Sequence, residues 1–387
     1  MIYLDNNATT APCPEAIEAA NAAFTECWGN PSSIHRFGQA VRQAMELARL
    51  DVCNLIGCSE RELIFTSGAT EANNLAISGI LARRGDRKCI VTTSLEHAAI
   101  REPCERLVKQ GYEIIHAPFD DSGTVVVDQF RSIIESRADE IALVTIHWAN
   151  NETGVIQPIQ AIGETCSGYG IPVHTDATQA VGKIPLSVRD VNVSALSMSA
   201  HKFHGIKGIG ALFVKSGSRI QPQTIGGPQE RERRGGTENV PGILAMGAAA
   251  KAAKMFIESG DAKRIASLRD RFESRVLEAL PTTLVNASGA HRLWNTTNLA
   301  FPPLESEAIL LLLSERGLCA SAGAACSSGS LEPSPVLLSL GIAEEAAHGS
   351  VRFSLSRYTT EDQIDQAVEI VTAAILKLRK SMPSYGS

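Results

Sequence analysis

The chain has 387 residues, and its 36 Lys and Arg against 42 Asp and Glu give it a formal net charge of −6. This mildly acidic balance removes the electrostatic basis for strong nucleic-acid binding. With 44% hydrophobic and 20% charged residues, the composition also excludes a disordered chain, collagen and a coiled coil. The length favours two or three structural units, or one large α/β domain with an appendage.

From about residue 37 to residue 260, helical patterns alternate with short apolar runs that predict β-strands. The runs lie at residues 63–65, 89–91, 141–144, 171–173 and 210–214. Strands that alternate with helices indicate a mainly parallel sheet with crossover helices. Continuous apolar runs are typical of strands that are buried on both faces.

The pattern changes after about residue 256. An amphipathic helix is predicted by apolar residues that recur every three or four positions, namely Ile265, Leu268, Phe272, Val276 and Leu280. We also predict short strands at 298–301 and 351–355, a helix at 305–316, and a terminal helix that begins with a capping box, Thr360 and Gln363. This part of the chain is therefore predicted to be a separate α+β unit.

Two features of the sequence bear on the cellular compartment. The amino-terminal residues MIYLDNNATT contain neither the basic nor the apolar segment of a signal peptide, and the apolar run at 309–313 is too short to span a bilayer. The nine cysteines show no C-x-x-C spacing, which argues against a disulfide framework, a structural zinc site and a protein-bound iron–sulfur cluster. We therefore expect a cytoplasmic protein without membrane contacts.

The segment TSGAT, residues 66–70, follows a predicted strand and begins a predicted helix. The free N–H groups and the dipole of a helix amino terminus favour an anion. Small residues let a phosphate group approach, and Thr70 adds a hydroxyl group. Taken alone, the same residues are also explained by a helix N-cap after a tight turn.

Three further side chains follow predicted strands. His97 and Asp176 come just after the apolar runs at 89–91 and 171–173, and ligands bind at the carboxyl ends of strands in open α/β sheets. Lys202 follows another apolar run, and a desolvated lysine can form a Schiff base. Each residue has an alternative, because His97 and Asp176 could cap the next helix and Lys202 could be a solvated loop lysine.

Taken together, these residues supply a phosphate site at Thr70, a stacking ring at His97, a carboxylate for a pyridinium nitrogen at Asp176 and a Schiff-base lysine at Lys202. Pyridoxal phosphate needs these groups from a protein. Because all four are much less expected by chance than any one of them, the set predicts a pyridoxal-phosphate site. A dinucleotide-binding oxidoreductase is disfavoured, since the glycines near residue 68 do not form G-x-G-x-x-G.

The segment SAGAACSSGS, residues 321–330, has too little side-chain volume to form a core. Its Gly and Ser content predicts a flexible loop. Cys326 on this loop is expected to be exposed, as a reactive thiol must be. The alternative is a thiol that is merely accessible. Cys319, in a more apolar setting, is the better candidate for a buried and inert cysteine.

The ordered series of motifs resembles the cysteine desulfurases of the NifS and IscS type, within the fold-type I pyridoxal-phosphate enzymes. Matching segments cover essentially the whole chain and include YLDNNATT, TSGATEANN, WANNETG, HTDATQAVGK, SAHKFHG, RRGGTEN and AACSSGSLEPS. The carboxy-terminal half is most similar to the nitrogen-fixation branch, NifS. The resemblance implies an α/β fold of the class-V aminotransferase type. We expect a large cofactor-binding domain at 13–255, with a mainly parallel sheet, and a smaller α+β domain, made of 1–12 and 256–387, that carries the loop with the catalytic cysteine.

The resemblance also implies roles for individual residues. Lys202 forms the Schiff base with pyridoxal phosphate and later moves protons, and it forms the catalytic set together with His97 and Cys326. Asp176 holds the pyridinium nitrogen, Gln179 contacts the ring hydroxyl and His97 stacks on the ring. The remaining cofactor-binding residues, which include those that hold the phosphate, are Ala69, Thr70, Asn151, Ser199, Ala200, His201 and, from the other subunit of a homodimer, Thr237.

By the same resemblance, Asn151 and Arg352 bind the substrate, and the planar guanidinium of Arg352 suits the substrate carboxylate. The implied reaction converts L-cysteine to L-alanine and leaves a persulfide on Cys326. This persulfide supplies sulfur for iron–sulfur cluster assembly on a NifU- or IscU-like scaffold protein, with nitrogenase as the expected client. Cys326 would contact metal only transiently, through the persulfide and a cluster shared with the scaffold.

The sequence leaves alternatives to this function. An IscS-like housekeeping sulfur donor would use the same residues. A selenocysteine lyase or an aminotransferase on the same fold is disfavoured by the long loop around Cys326. A non-enzymatic sulfur-relay or regulatory subunit is disfavoured by the intact Lys202. Ile206 stands where the family commonly has a proline, but its neighbours keep the family pattern.

Overall fold

The computed structural model describes residues 1–322 and 332–381, and every element named below lies within those ranges. As predicted, strands and helices alternate through the first part of the chain. The elements of this part are β1 (Ile2–Tyr3), α1 (Pro14–Thr25), α2 (Arg36–Ile56), β2 (Leu63–Thr66), α3 (Ala69–Leu81), β3 (Cys89–Thr92), α4 (Ala98–Val108), β4 (Glu113–His116), α5 (Val127–Arg137), β5 (Ile141–Thr145), α6 (Ile159–Ser167), β6 (Val173–Asp176), β7 (Ala195–Ser199), β8 (Gly210–Val214), the short turn α7 (Gln229–Glu232) and α8 (Val240–Ser259).

The second part of the chain carries short strands between helices. Its elements are α9 (Ala262–Ala279), β9 (Leu284–Val285), β10 (Thr296–Ala300), α10 (Ser306–Glu315), β11 (Leu318–Cys319), α11 (Pro335–Ser339), α12 (Glu344–His348), β12 (Ser350–Ser354) and α13 (Glu361–Ser381). The capping box predicted before α13 is confirmed. The Thr360 amide donates to Gln363 Oε1 at 3.1 Å, and the Gln363 amide donates to Thr360 Oγ1 at 3.3 Å.

Seven strands form one sheet in the order β2-β8-β7-β6-β5-β3-β4. The sheet is mostly parallel, as predicted, but β8 runs antiparallel to its neighbours β2 and β7. The reason is the short connection 200–209 between β7 and β8. A parallel strand would need a crossover of a dozen or more residues, whereas an antiparallel strand can follow after a short loop.

In the seven-stranded sheet, strands β6 and β4 differ from the predictions. Strand β6 begins at Val173 and ends at Asp176, so Asp176 is the last residue of the strand rather than a residue that follows it. Strand β4 was not predicted at all. It lies at the edge of the sheet, and Glu113 and His116 at its ends are exposed, so it lacks the continuous apolar run of a strand buried on both faces.

The apolar cores follow the pleat of the strands. In β2, Leu63 and Phe65 belong to the core on one face of the sheet and Ile64 belongs to the core on the other face. A further core joins Ile2 and Leu4 to side chains between residues 256 and 375. The antiparallel sheet β12-β10-β9 and helices α9, α10 and α13 contribute to it. The domain boundaries stated above stay a prediction.

Helix α8 corrects one expectation from the sequence. Of the helices in the described residues, α8 is the one that is long and apolar enough to cross a membrane by length and composition, whereas no such segment was expected. The core helix of a folded protein meets the same criterion. Ala245, Ala249 and Ala253 of α8 are buried in the core that the helix shares with α1 and α2, so the observation is weak evidence for a membrane span.

Candidate active site

Strands β2, β3, β5, β6 and β7 run in the same direction, so their carboxyl ends meet at one edge of the sheet. This edge is where ligands bind in open α/β sheets. The predicted site residues that lie at these strand ends or follow them are Ala69, Thr70, His97, Asn151, Asp176, Gln179, Ser199, Ala200, His201 and Lys202. The fold therefore places predicted residues from distant parts of the chain along a single edge.

The amino terminus of α3 provides the predicted phosphate site. The helix begins at Ala69, directly after Gly68, and no side chain caps its first turn. A Cβ built on Gly68 would lie 3.8 Å from Ser199 Oγ, so the end of β7 faces this turn. Burial raises the pKa of Glu71 in the same turn, but hydrogen bonds from Arg234 and Ser67 outweigh it and lower the pKa. Arg234 pairs with the Glu71 carboxylate at 2.9 Å, which offsets its repulsion of an incoming phosphate.

Asp176 is a buried carboxylate with two hydrogen-bond donors. Its Oδ2 accepts from Asn73 Nδ2 at 2.7 Å, and its Oδ1 accepts from the Thr178 amide at 3.0 Å. No ion pair joins Asp176 to any described residue. Next to this carboxylate, the hydroxyl group of Thr178 and Oδ1 of Asn73 are buried and have no hydrogen-bond partner in the described part of the chain. A buried charge is costly unless it is paired, so this carboxylate suits a cationic N–H group of a bound ligand.

The side chain of Lys202 reaches the amino-terminal segment of the chain. Its Nζ donates to the carbonyl oxygens of Asn7 at 2.7 Å and Ala8 at 2.8 Å. Asn7 also binds two other predicted site residues. Its carbonyl oxygen accepts from Gln179 Nε2 at 3.0 Å, and its Nδ2 donates to the carbonyl oxygen of Asn151 at 3.1 Å. The structure therefore brings Lys202, Gln179 and Asn151 together around Asn7.

A second amine, Lys183, lies in the same network. Its Nζ donates to Asn7 Oδ1 at 2.9 Å and to Gln179 Oε1 at 2.5 Å. Burial lowers the pKa of Lys183 well below its ordinary value, and the positive charges of Lys202 and Arg352 lower it further. Lys183 can therefore orient Gln179 and Asn7 without adding a full positive charge beside Lys202.

Arg352 joins the small sheet to the same edge. It lies on β12, is only 1% exposed, and its Nη1 donates to the carbonyl oxygen of Asn151 at 3.0 Å. Its Nη2 donates to Asp5 Oδ1 at 2.9 Å. The guanidinium is thus positioned beside Asn151, as a substrate-binding role needs, but it is also engaged by a carboxylate of the protein itself. The substrate-binding role stays a prediction.

Two histidines flank the network. His97 caps α4, because its Nδ1 accepts from the Ala99 amide at 3.0 Å. This contact is the alternative that the sequence left open, and it orients the ring without excluding the predicted stacking. His201 Nδ1 lies 3.1 Å from Thr9 Oγ1. Burial lowers the pKa of His201 to about 4, with the charge of Lys202 contributing, so His201 is neutral at neutral pH.

The structure does not bring every predicted residue into the network. Thr237 is exposed on the segment between α7 and α8. Cys326 lies outside the described residues, so its predicted roles as nucleophile and transient metal ligand have no geometry here. Within residues 1–322 and 332–381, no group of three or more His, Cys, Asp and Glu side chains could hold a metal ion.

Comparison with known proteins agrees with this arrangement. The family model of the class-V aminotransferases matches residues 2–367. Cysteine desulfurase 2 of Trichormus variabilis is 46% identical over 99% of this chain and 95% of its own length. NifS, a cysteine desulfurase of Azotobacter vinelandii, is 43% identical with the same coverage of each chain. A solved NifS-like protein superposes with a TM-score of 0.90 at 33% identity and covers 97% of this chain and 99% of its own.

The chain belongs to the class-V aminotransferase family, within the cysteine desulfurases. This family depends on pyridoxal phosphate, and the residues present fit that cofactor. The buried Asp176 carboxylate has no ion-pair partner among the described residues, the uncapped start of α3 suits a phosphate, and the Lys202 amine lies at the same sheet edge. The predicted family and the predicted fold are both confirmed.

Several side chains of this cysteine desulfurase site had no assigned role in the sequence analysis, among them Asn7, Asn73, Glu96, His147 and Lys183. Glu96 and His147 form a buried pair in which His147 Nδ1 lies 2.9 Å from Glu96 Oε1. Burial lowers the pKa of His147, but the Glu96 charge outweighs it and raises the pKa. Strands β5 and β6 pair Thr145 with His174, and beyond them the Trp148 amide donates to the Asp176 carbonyl oxygen. This register places His147 opposite Asp176.

A sequence signal existed for some of these residues. Asn73 is a polar residue on the buried face of α3, among Ala72, Ala76 and Ile77, and a buried polar side chain in an apolar helix face needs a partner. Asn7 lies in the YLDNNATT motif, but its contacts with Lys183 and Lys202 join segments that are far apart in sequence. The pattern of a single segment cannot reveal such contacts.

Proposed function

We propose that the protein converts L-cysteine and its own thiol to L-alanine and an enzyme persulfide, with pyridoxal phosphate attached to Lys202 as a Schiff base. Atoms and electrons balance, because the substrate C–S bond breaks, its SH group joins the Cys326 sulfur as S–SH, and the proton of the Cys326 thiol ends on the substrate carbon, which is reduced as the two sulfurs are oxidised. The relatives are named cysteine desulfurases, which supports the same activity for this chain. The observation that carries the cofactor assignment is the buried Asp176 carboxylate, which has two donors and no cation among the described residues.

The protein holds the cofactor at both ends. Asp176 would accept a hydrogen bond from the pyridinium N–H, and Asn73 and Thr178 keep the carboxylate oriented for it. The first turn of α3 and Ser199 bind the phosphate. Pyridoxal phosphate supplies an electron sink that makes the substrate Cα proton acidic. Asp176 strengthens this sink, because a carboxylate keeps the pyridine nitrogen protonated.

The chain then acts on the substrate with its own side chains. Arg352 binds the substrate carboxylate in exchange for its contact with Asp5. Lys202 accepts the Cα proton at Nζ and returns a proton to the product. Without the cofactor, this amine donates to the carbonyl groups of Asn7 and Ala8. Cys326 attacks the substrate sulfur as a thiolate, because only the thiolate is a competent nucleophile.

Cell context is part of the proposal. The protein works as a cytoplasmic homodimer, and the persulfide sulfur passes to an iron–sulfur scaffold protein of the NifU or IscU type. Nitrogenase is the proposed client of this pathway. The likeness to NifS supports that client, while a relative named IscS at 44% identity is equally consistent with a housekeeping sulfur donor.

Asp176→Asn tests the observation that carries the assignment. An amide cannot hold a proton on the pyridine nitrogen, so we expect alanine production to fall by about 10²–10³-fold, the effect of losing one preorganised electrostatic contact. Alanine is measured after incubation with L-cysteine, and cofactor absorbance near 420 nm (about the position of a protonated Schiff base) is recorded on the same sample. Asp190→Asn, on an exposed carboxylate, is the matched control. Full activity of Asp176→Asn would contradict the assignment.

A subunit-mixing experiment tests whether Thr237 acts across a dimer. Lys202→Ala and Thr237→Ala chains are each expected to be impaired alone. If Thr237 serves the partner's site, a hybrid dimer has one site with both defects and one intact site. Refolding an equal mixture should then recover about a quarter of wild-type alanine production, since half of the dimers are hybrids with one working site. No recovery in a sample shown to contain hybrid dimers would contradict this role.

A further inference from the structure

The carboxyl end of α2 brings two cysteines together, far from the predicted Cys326 loop in sequence. The helix ends before Gly57, which adopts a left-handed φ of 74°. The Cys53 carbonyl oxygen accepts hydrogen bonds from the Gly57 amide at 2.8 Å and from the Cys58 amide at 3.1 Å. In this type of helix cap, the side chain after the glycine packs on the last turn of the helix. Cys58 does so, because its side chain packs against the core cluster that contains Cys53.

The two thiols lie at the same core cluster. The neighbouring Cys58 side chain lowers the pKa of Cys53, which burial opposes, and the neighbouring Cys53 side chain raises the pKa of Cys58, as burial also does. The two residues differ in access, since Cys53 is 2% exposed whereas Cys58 is only partly buried. One thiol of the pair is thus open to a reagent, and the other lies behind it.

We propose that Cys53 and Cys58 form a redox-active dithiol that closes to a reversible disulfide, a modification site separate from the cysteine desulfurase centre. A disulfide needs Cα atoms about 4.4–6.8 Å apart and Cβ atoms that point towards each other. The Cys58 amide donates to the Cys53 carbonyl oxygen at 3.1 Å, which holds the two residues close along the backbone. Both side chains also pack on the same core cluster, as the residues on either side of such a helix cap do. The end of α2 therefore brings the two cysteines together.

The oxidant is a small disulfide such as glutathione disulfide. The partly exposed Cys58 thiol loses its proton to water, its thiolate attacks one sulfur of the reagent, and one glutathione leaves as a thiolate that takes up a proton. The Cys53 sulfur then attacks the Cys58 sulfur of the mixed disulfide, and the second glutathione leaves with the Cys53 proton. Two protein thiols are oxidised and one glutathione disulfide is reduced to two thiols. An added dithiol reverses both steps.

The sequence allows a direct test by peptide mapping. Trypsin cleavage after Arg49 and Arg61 releases both thiols in one peptide, residues 50–61, which contains no other cysteine. The reduced holoenzyme is incubated with glutathione disulfide, free thiols are alkylated under denaturing conditions, and the digest is analysed without reductant. We expect peptide 50–61 to escape alkylation and to be lighter than the reduced peptide by about 2 Da, the mass of the two hydrogens lost. Dithiothreitol should restore two alkylated cysteines.

Single thiols in the same digest serve as controls. Cys27, which is partly buried, should at most carry one glutathione, and the buried Cys104, whose pKa burial raises to about 12, should stay reduced. In Cys58→Ser, Cys53 should be alkylated after the same treatment, and alanine production should stay within about twofold of wild type because the pair is not in the active-site network. Peptide 50–61 that is fully alkylated, or that keeps glutathione on Cys58 beside a free Cys53, would overturn the proposal whether or not the protein is a desulfurase.

Discussion

Lys202→Ala is expected to lose alanine production by about 10²–10⁴-fold, the usual effect of removing a positioned acid–base group. The variant removes the amine proposed to attach the cofactor and to accept the Cα proton. Cofactor absorbance near 420 nm (roughly where a Schiff base absorbs) should also disappear or change. Alanine is measured by amino-acid analysis after incubation with L-cysteine, and the absorbance spectrum is recorded with and without substrate.

The control for this experiment is Lys207→Ala, which removes an exposed lysine from the same loop. Loss of Lys202 also removes the donor that binds the carbonyl groups of Asn7 and Ala8, so the melting temperature of each variant must be recorded. Normal alanine production by a folded Lys202→Ala protein would contradict the assignment. A similar loss in Lys207→Ala would show that the effect belongs to the loop as a whole.

Cys326→Ala is expected to separate the two halves of the reaction. L-cysteine should still change the cofactor absorbance, because Lys202, Asp176 and Arg352 are intact. No alanine should be released, since no thiolate is present to take the sulfur, and production should fall by at least about 10²-fold. Serine at this position should not restore activity, because its hydroxyl has a far higher pKa and little affinity for sulfur.

The other eight cysteines provide the control set, each replaced by alanine in turn. Burial raises the pKa of Cys104 and Cys166 to about 12 and that of Cys89 to about 11, so these thiols are poor nucleophiles at neutral pH. Cys319 lies in β11, where it pairs with Tyr3 of β1. If one of these eight variants rather than Cys326→Ala loses alanine production while remaining folded, the nucleophile has been assigned wrongly. Locating the persulfide by mass spectrometry of the wild type gives the same answer independently.

Local chemistry accounts for the parts of the fold that were predicted correctly. The capping box of Thr360 and Gln363 forms within one helical turn, and the buried face of α9 follows a period of three to four residues. The prediction failed where a neighbour decides the structure. Strand β4 was missed because an edge strand has one unpaired side and does not need an apolar run on both faces.

The candidate site shows the same division. The position of Asp176 after an apolar run was readable from the sequence, and so was the start of α3 after a small-residue turn. Their partners were not readable. Asn73 reaches Asp176 only because α3 packs on the sheet beside β6, and His147 lies opposite Asp176 only because β5 and β6 are neighbours in a parallel register. Strand order and register depend on how two strands that are distant in sequence pair with each other. The sequence of one strand therefore does not show which strand it pairs with or in which register.

By itself, the sequence predicted which functional groups could carry the chemistry, because most motifs place their functional group at the end of an element whose type follows from the local pattern. It also determined the family, through motifs that occur in order along the whole chain. Only the tertiary structure decided how these groups share one site. Asn7 binds Lys183, Lys202, Gln179 and Asn151 because chain folding brings the amino terminus onto the carboxyl edge of the sheet. Hydrogen bonds of this kind depend on distances in space, which the separation of residues along the chain does not specify.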